Sequence, residues 1–375
     1  MTSPTALGPF YRDHLVGVDD VVHLYSGAEG PALRAHREAA ARYVVDKSAG
    51  EEGRRRSEAV LDTTREQLAR LMGGSANSIA ILGNASDAIN RLVGAVRLEP
   101  GDNVVTSDLE FPSGVQSLLL LRDRGVEVRF ARGREGHLSA ADFEPMIDER
   151  TRLVVSSHTS YVSGARIDPA TVHALARRVG AAFILDVTQS LGVLPVVAAT
   201  ADAIVSSSYK WVLGPHGLGI VHLTNPAAFG HAAAGWRSVP DVFAPDRLST
   251  VRFRPDARSL ELGFPSFLGA YFLTESLALI LDADQSAVEA HVNSLTAQLV
   301  DGLLGAGARL LSPLDPAERG TNISVVAADG ESVAARMLES GVRVWGGDGR
   351  VRFSVHAFNT ANDIDAALAA YRAAA

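Results

Sequence analysis

Two ionisable side chains follow neighbouring apolar segments in the middle of the chain. Asp186 ends the strand-like run AAFILD, and Lys210 follows the next such run, within SSSYKWVLGPHGLG. A carboxylate at the end of an apolar strand is costly to bury unless it is paired or near water. A desolvated lysine has a lowered pKa and can form a Schiff base with a carbonyl. The pair therefore indicates covalent lysine chemistry, with an N-capping Asp186 and a surface Lys210 as the alternatives.

A third polar segment lies upstream, where the apolar run 79–82 gives way to Gly-Asn-Ala-Ser and then to a helical pattern. The first N–H groups of a helix are unpaired and carry the positive end of its dipole, so this segment can bind a phosphate, although an ordinary N-cap accounts for the same residues. The three features together fit a cofactor with a phosphate, an aldehyde and a ring nitrogen. Pyridoxal phosphate has all three, and a carboxylate beside its pyridine nitrogen keeps the ring cationic and electron-accepting.

Seven short apolar segments alternate with helical patterns over the first two-thirds of the chain. Continuous, often β-branched runs are typical of strands that are buried on both faces of a parallel sheet, and the alternation predicts a doubly wound α/β domain. The predicted strands are 79–82, 103–106, 126–130, 153–156, 183–185, 203–205 and 218–222, and the helices between them include 87–96, 113–124 and 169–179. Ligands of such sheets bind at the carboxyl ends of the strands, where Asp186 and Lys210 fall.

The pattern changes after about residue 235. A loop-rich stretch with three prolines precedes two long helical patterns, and two further strands then alternate with helices. The predicted helices are 267–281, 287–304, 332–339 and 361–372, and the predicted strands are 322–326 and 351–355. We therefore expect an N-terminal segment and large cofactor-binding domain over 1–259, and a smaller α+β domain over 260–375.

Composition narrows the classes of function. The chain of 375 residues is 47 % hydrophobic and 21 % charged, as in a globular protein with a sizeable core, and its net charge of −8 argues against a nucleic-acid partner. It contains no cysteine, which excludes disulfides, Cys-ligated zinc and a thiol nucleophile. No metal site, catalytic triad or nucleotide motif is recognisable. Without a signal-like N-terminus or a run approaching ~20 apolar residues, a cytoplasmic protein with no membrane partner is expected.

Three motifs, LDVTQSLG, SSSYKWVLGPHGLG and RFSVHAFNT, occur in the order and spacing of a known family. With them the sequence resembles the class V aminotransferases of pyridoxal-phosphate fold type I, the superfamily of cysteine desulfurases, kynureninases and isopenicillin-N-epimerase-like enzymes. The resemblance runs from about residue 24 to residue 360. It implies a large, doubly wound, mostly parallel seven-stranded sheet domain, a smaller C-terminal α+β domain, and a homodimer with active sites near the subunit interface.

The resemblance also implies a role for individual residues. Lys210 resembles the lysine that forms the Schiff base and then serves as the base, and Asp186 resembles the partner of the pyridine nitrogen. Phe111 takes the place of the aromatic residue that stacks on the ring, and Gln189 that of the glutamine at the phenolic oxygen. The implied cofactor-binding residues are Ala85, Ser86, Phe111, Tyr161, Asp186, Gln189, Ser207, Tyr209 and Lys210, with the phosphate at Ala85, Ser86, Ser207 and Tyr209.

Two further residues are candidates for contact with the substrate. Arg352 resembles the arginine that binds the substrate α-carboxylate, for which a planar guanidinium is suited; a structural ion pair is the alternative. His158 follows a predicted strand and is expected as a catalytic acid–base group, with a structural histidine as the alternative.

The chain departs from the family pattern in three places besides its lack of cysteine. Tyr209 stands where many relatives carry histidine, and Tyr161 where many carry asparagine. Gly263-Phe264-Pro265 replaces the Gly-Thr-Pro with which a partner subunit often contacts the phosphate, and Ser266 is a candidate substitute. A persulfide-forming cysteine desulfurase mechanism is excluded for want of a thiol.

We predict a pyridoxal-phosphate-dependent lyase or aminotransferase-family enzyme that acts on an α-amino acid or amino-acid conjugate through a lysine-bound Schiff base and a carbanion. C–S β-elimination is the expected reaction, because it needs only a leaving group and Lys210; a composition rich in Ala, Arg and Gly suggests natural-product biosynthesis. The alternatives are a decarboxylating or oxidatively deaminating tailoring enzyme, an aminotransferase, and an epimerase with His158, Tyr161 or His356 as second acid. A non-catalytic binding subunit is a further alternative, which the presence of both Asp186 and Lys210 opposes.

Overall fold

This computed structural model describes residues 9–375 of the chain. Its β-strands are β1 Val22–His23, β2 Ile79–Leu82, β3 Asn103–Ser107, β4 Glu127–Ala131, β5 Thr151–Ser157, β6 Ala182–Asp186, β7 Ala203–Ser207, β8 Gly219–Leu223, β9 Asn322–Val326, β10 Val342–Arg343, β11 Trp345–Gly347 and β12 Arg350–Ser354. Its α-helices are α1 His36–Ser48, α2 Gly50–Met72, α3 Ala85–Ala95, α4 Pro112–Leu119, α5 Ala140–Phe143, α6 Pro169–Arg178, α7 Phe267–Asp282, α8 Gln285–Gly305, α9 Gly330–Glu339 and α10 Ala361–Ala374.

All seven strands predicted for the first two-thirds of the chain lie in one sheet, in the order β2-β8-β7-β6-β5-β3-β4. Every strand except β8 runs in the same direction, and β8 is antiparallel to both of its neighbours. Apolar side chains of α2, α6 and α7 cover one face of the sheet, and those of α3 and α4 cover the other. The predicted α/β class, with a mostly parallel seven-stranded sheet, is confirmed.

The shared direction of six strands creates the edge at which function is expected. The carboxyl ends of β2, β3, β5, β6 and β7 meet at one edge of the sheet, because parallel strands end together. Each is followed by a short polar connection before the next helix or turn. Side chains that are far apart along the chain are thereby brought together.

The C-terminal part of the chain builds a second, smaller layer. Strands β11, β12 and β9 form an antiparallel sheet in that order, which α8, α9 and α10 cover in a separate apolar cluster. Strand β1 pairs in parallel with β10, so the beginning of the described chain joins this part. Helix α7 instead packs into the core of the large sheet. The domain boundary at residues 259 and 260 stays a prediction.

Most elements match the predicted ones to within two residues at each end, and the differences have local causes. The predicted helix 113–124 is α-helical only to Leu119 and continues as a 3-10 helix, Leu120–Arg124, that ends at Gly125 with φ of 76°. A positive φ favours glycine, which has no Cβ, and such a residue commonly ends a helix. None of the helices within residues 9–375 combines the length and apolar character needed to cross a bilayer.

Candidate active site

A cavity opens at the carboxyl edge of the central sheet. Its lining residues are Asn84, Ala85, Ser86, Ile89, Phe111, Ser113, Ser157, Tyr161, Asp186, Thr188, Gln189, Ser207, Tyr209 and Lys210. All of the residues predicted to bind the cofactor are among them. The predicted site residues His158 and Arg352 are not part of this lining. Within residues 9–375 there is no group of three or more His, Asp or Glu side chains that could hold a metal ion.

Lys210 is buried in this cavity, with 7 % of its surface exposed. Its Nζ lies 5.4 Å from the centroid of the Phe111 ring and 5.7 Å from that of Tyr209. The pKa of Lys210 is lowered to about 8, first by burial and secondly by the charge of Arg352, while the charge of Asp186 opposes the shift. Desolvation dominates because an ammonium loses its hydration in an apolar pocket. The amine is therefore partly neutral near neutral pH, as a nucleophile or base requires.

Asp186 occupies the end of β6, and its Oδ1 accepts a hydrogen bond of 2.8 Å from the Thr188 N–H. Burial raises the pKa of Asp186, whereas the hydrogen bonds of Thr188 and the charge of Lys210 lower it. The two ionisable groups therefore interact within one cavity. An ionised carboxylate placed there would be stabilised further by a cationic ring nitrogen.

The beginning of α3 forms one end of the cavity. The Asn84 side chain caps this helix by accepting a hydrogen bond of 2.8 Å from the Asp87 N–H. Gly219 on β8 permits the close approach of the helix to the sheet, because a Cβ at that position would lie 2.3 Å from the Asn84 backbone. The first N–H groups of a helix have no intrahelical partner, so those of Ala85 and Ser86 face the cavity end as donors.

The surroundings of the Ser207 hydroxyl indicate whether a phosphate fits this end of the cavity. Its Oγ is buried and has no hydrogen-bond partner within residues 9–375. A buried hydroxyl without a partner costs free energy, which a phosphate oxygen bound beside it would relieve. Together with the helix N-terminus, this orphaned donor fits the phosphate of the predicted cofactor.

Gln189 is held by residues from distant parts of the chain. Its Nε2 donates to the Gly27 carbonyl, and its Oε1 accepts from Trp211 Nε1 and from Asn322 Nδ2, each at 3.0 Å. A carboxamide has two N–H groups, and this network uses one of them. The second remains for the phenolic oxygen with which Gln189 is predicted to interact.

Aromatic rings form the wall nearest to the lysine. The Phe111 ring is 44 % exposed and meets Tyr161 edge-on, with ring centroids 5.2 Å apart. Tyr209 stacks on His216 with centroids 4.2 Å apart. An exposed phenylalanine that lines a cavity offers apolar surface to a flat ligand, as stacking of Phe111 on a pyridine ring requires.

His158 lies behind this wall and does not reach the cavity. Its Nε2 accepts a hydrogen bond of 3.3 Å from Arg166 Nε, and its Nδ1 lies 2.9 Å from Ser190 Oγ. Burial lowers the pKa of His158 to about 3. The imidazole is therefore neutral at neutral pH with both nitrogens engaged, and this geometry favours the structural alternative over an acid–base role.

Arg352 lies on β12 of the smaller sheet, with 3 % of its surface exposed. Its Nη1 donates to the carbonyl oxygen of Tyr161 at 2.9 Å. No acidic side chain pairs with it within residues 9–375. Because its charge lowers the pKa of Lys210, the guanidinium acts on the same site. These contacts favour a ligand-binding arginine over the alternative of an internal ion pair.

Several residues that line the cavity were not predicted. They include Ile89, Ser113, Ser157 and Thr188, of which Ser157 ends β5 and Thr188 follows β6, positions that the strand-end rule identifies. Glu110 lies directly behind them: its carboxylate accepts from the Ser157 N–H at 2.9 Å and from Ser107 Oγ at 3.1 Å. Burial raises the pKa of Glu110 to about 7. In the sequence, the position of Glu110 directly before Phe111 was the feature that could have indicated its place beside the site.

Comparison with known proteins identifies the family. The family description "Aminotransferase class-V" matches residues 42–367. A probable cysteine desulfurase of Methanothermobacter thermautotrophicus is 35 % identical over 165 residues, which are 43 % of this chain and 41 % of that protein. A probable cysteine desulfurase of Mycolicibacterium paratuberculosis is 27 % identical over 382 residues, covering 95 % of this chain and 53 % of that protein. The chain thus spans about half or less of the length of these two relatives.

Solved structures share the fold. An apo cysteine desulfurase from Thermococcus onnurineus NA1 superposes with a TM-score of 0.88 at 21 % identity and covers 100 % of this chain and 98 % of its own. A cystine C–S lyase in complex with cysteine persulfide superposes with a TM-score of 0.87 at 19 % identity, covering 95 % and 98 %. The predicted fold type is confirmed over the described residues.

Proposed function

From the premise that this chain belongs to the class V aminotransferase family and is a pyridoxal-phosphate-dependent enzyme, we propose that it cleaves a C–S bond by β-elimination from an α-amino acid with a thioether side chain. One observation carries this function: Lys210, with its pKa lowered to about 8, shares a cavity with Asp186 in a chain without cysteine. Elimination needs a base but no thiol nucleophile. The desulfurase and C–S lyase names of similar proteins support C–S chemistry.

Bound pyridoxal phosphate supplies an aldehyde and an electron-withdrawing ring that stabilises negative charge at the substrate α-carbon. Residues of this cavity would hold it: Lys210 at the aldehyde, Asp186 at the ring nitrogen, Phe111 at the ring face, Gln189 at the phenolic oxygen, and Ala85, Ser86, Ser207 and Tyr209 at the phosphate. Asp186 keeps a proton on the ring nitrogen by pairing its charge with it. Tyr161 closes the wall beside Phe111.

Lys210 moves the protons of the reaction. At a pKa of about 8, roughly a tenth of its amines are neutral at pH 7, and the neutral form removes the proton from the substrate α-carbon. The C–S bond then breaks with its electron pair going to sulfur, while the pair left at the α-carbon forms the double bond to the β-carbon. The Lys210 ammonium returns its proton to the departing thiolate. The released enamine hydrolyses to pyruvate and ammonia.

Arg352 orients the substrate by binding its α-carboxylate. A buried guanidinium offers two parallel N–H donors to a carboxylate and fixes the plane of that group. This contact holds the α-proton, rather than the carboxylate, towards Lys210 and so disfavours decarboxylation. Epimerisation needs a second acid, and two of its three candidates, His158 and His356, have pKa values lowered to about 3 by burial, which leaves Tyr161 as the candidate that lines the cavity.

We also propose a homodimer whose interface includes the exposed apolar side chains of the segment 236–264. Trp236, Phe243, Leu248 and Phe264 are large apolar side chains that are exposed in a single chain. Exposed apolar groups of this size commonly mark a protein–protein contact. Light scattering of the holoenzyme should give the mass of two chains. A cytoplasmic location and a role in secondary metabolism remain predictions from the composition.

The reaction is tested with a panel of cysteine thioethers and unsubstituted amino acids. Formation of pyruvate and thiol in equal amounts is expected from the thioethers, with no change in oxygen and no carbon dioxide. A keto acid that retains the side chain, or carbon dioxide release, would contradict the elimination. Lys47 is the only other lysine in the sequence and is exposed, so Lys47→Ala is the matched control for Lys210→Ala. Borohydride reduction should attach the cofactor to Lys210 alone.

A further inference from the structure

Strand β12 carries two buried arginines on one face. Arg350 and Arg352 are alternate residues of the strand, with 2 % and 3 % of their surfaces exposed. Trp345 lies opposite Arg352 in the antiparallel register, and Gly347 lies opposite Arg350. A Cβ at Gly347 would lie 3.2 Å from the Trp345 ring, so glycine lets the indole extend across this position. The ring centroid lies 4.8 Å from Arg350 Cζ and 5.2 Å from Arg352 Cζ.

The hydrogen-bonding capacity of this arginine pair is largely unused. Arg350 Nη1 pairs with the carboxylate of Asp348, a residue of the exposed hairpin turn. The Nε and Nη2 atoms of Arg350 and the Nε of Arg352 are buried without a partner in residues 9–375. Burial, and secondly the charge of Arg350, lower the pKa of Arg352 to about 10, so Arg352 stays charged at neutral pH. Two neighbouring buried guanidinium groups with unused donors are unfavourable when, among residues 9–375, Asp348 is their only acidic partner.

Residues on the same face of β12 connect the candidate active site with Arg350. Ser354 Oγ donates to Asn322 Oδ1 at 2.7 Å, and Asn322 Nδ2 donates to the cavity residue Gln189. Arg352 comes next along this face and contacts the backbone of Tyr161. Arg350 lies one step further, with its Cζ 5.4 Å from the Tyr161 ring. Alternate residues of a strand are about 7 Å apart, which sets the separation of the two arginines at the backbone.

We propose that Arg350 binds a second anionic group of the substrate, a carboxylate at the end of its side chain, about 7 Å from the α-carboxylate at Arg352. This inference rests on the proposed role of Arg352 and narrows the substrate class to thioether amino acids with an acidic end. A carboxylate can accept two parallel N–H bonds from a guanidinium, and Arg350 has two unused donors. Trp345 and Tyr161 pack against the guanidinium and keep its fork in place.

Binding of unreactive ligands to the holoenzyme tests the inference. Calorimetric titration compares adipate, a flexible dicarboxylate, with its monoamide, which has the same shape but one charge fewer. We expect adipate to bind at least about tenfold more tightly, the range of a charge-assisted hydrogen bond. Arg350→Met should abolish this preference, because it should weaken the binding of adipate by at least about tenfold more than that of the monoamide. Arg352→Met should weaken the binding of both ligands.

Three results would overturn the assignment. The first two are equal affinities of the native protein for adipate and its monoamide, and a preference for adipate that survives in Arg350→Met. The third is an equal loss of affinity for both ligands in that variant, which would mean that both arginines bind the same carboxylate. If Arg350→Met does not fold by circular dichroism, Arg350→Lys replaces it, because lysine keeps the charge but not the planar fork. A preference as large as the native one in Arg350→Lys would also overturn it. If the native enzyme forms no pyruvate from the thioethers but still prefers adipate, the proposed reaction is refuted and the proposed role of Arg350 is retained.

Discussion

Replacement of Lys210 by methionine should stabilise the cofactor-free protein near neutral pH. In the folded chain the pKa of Lys210 is about 8, against 10.5 for a free lysine side chain. The folded state therefore binds fewer protons than the unfolded state between these values, and stability rises with pH across that window. Below pH 8 the buried ammonium costs about 3 kcal/mol, from 1.36 kcal/mol per pKa unit. Methionine, similar in length and uncharged, removes this cost.

Urea unfolding of cofactor-free Lys210→Met and native protein measures the effect at several pH values from 7 to 10.5. The stability gain should be about 3 kcal/mol at pH 7, decline above pH 8, and approach the small apolar contribution of methionine near pH 10.5. Lys47→Met changes an exposed lysine of α1 and should give no pH-dependent gain. A gain that is independent of pH, or a loss of stability at pH 7, would refute the assignment of a buried, desolvated amine to residue 210.

Three further results are expected. Arg352→Met should raise KM for carboxylate substrates about 10–100-fold, since a charge-assisted hydrogen bond is lost, and an unchanged KM would remove Arg352 from the site. Ser207→Ala should weaken cofactor binding in equilibrium dialysis by about tenfold, because the hydroxyl has no other partner; unchanged binding would contradict its phosphate contact. Glu110→Gln should stabilise the protein above pH 7, because burial raises the pKa of the native carboxyl to about 7 and its ionisation above that pH costs free energy. The gain in the free energy of unfolding should vanish towards pH 4.5, and a gain that persists at that pH would refute this explanation.

The strands of the central sheet were predictable because each is a short apolar run between polar turns. Strand β2 has the predicted bounds, and the other six differ by at most two residues at either end. Helices α1 and α2 were not predicted, since they are rich in charged residues and bury only a narrow apolar stripe. Strands β1, β10 and β11 are two or three residues long, too short for a periodic signal.

The cofactor-binding part of the candidate site was predictable for a related reason. Strand ends are local features, and parallel strands end at the same edge, so residues such as Asp186 and Lys210 meet there once the sheet is recognised. The identity of each side chain, together with its motif, then indicates the chemistry. The roles themselves remain predictions that the experiments above test.

Burial and partner choice, by contrast, are decided by contacts between segments that are distant in the chain. The sequence places His158 after a strand but does not reveal that Arg166 and Ser190 enclose it and hold it neutral. Nor does it reveal that Trp345 and Tyr161 pack against Arg350, whose Nε and Nη2 have no partner among the described residues. Residue types and local periodicity set the strands and the reactive groups. Desolvation and hydrogen bonding depend on the whole packed structure, because only packing determines which atoms lose water and which gain partners.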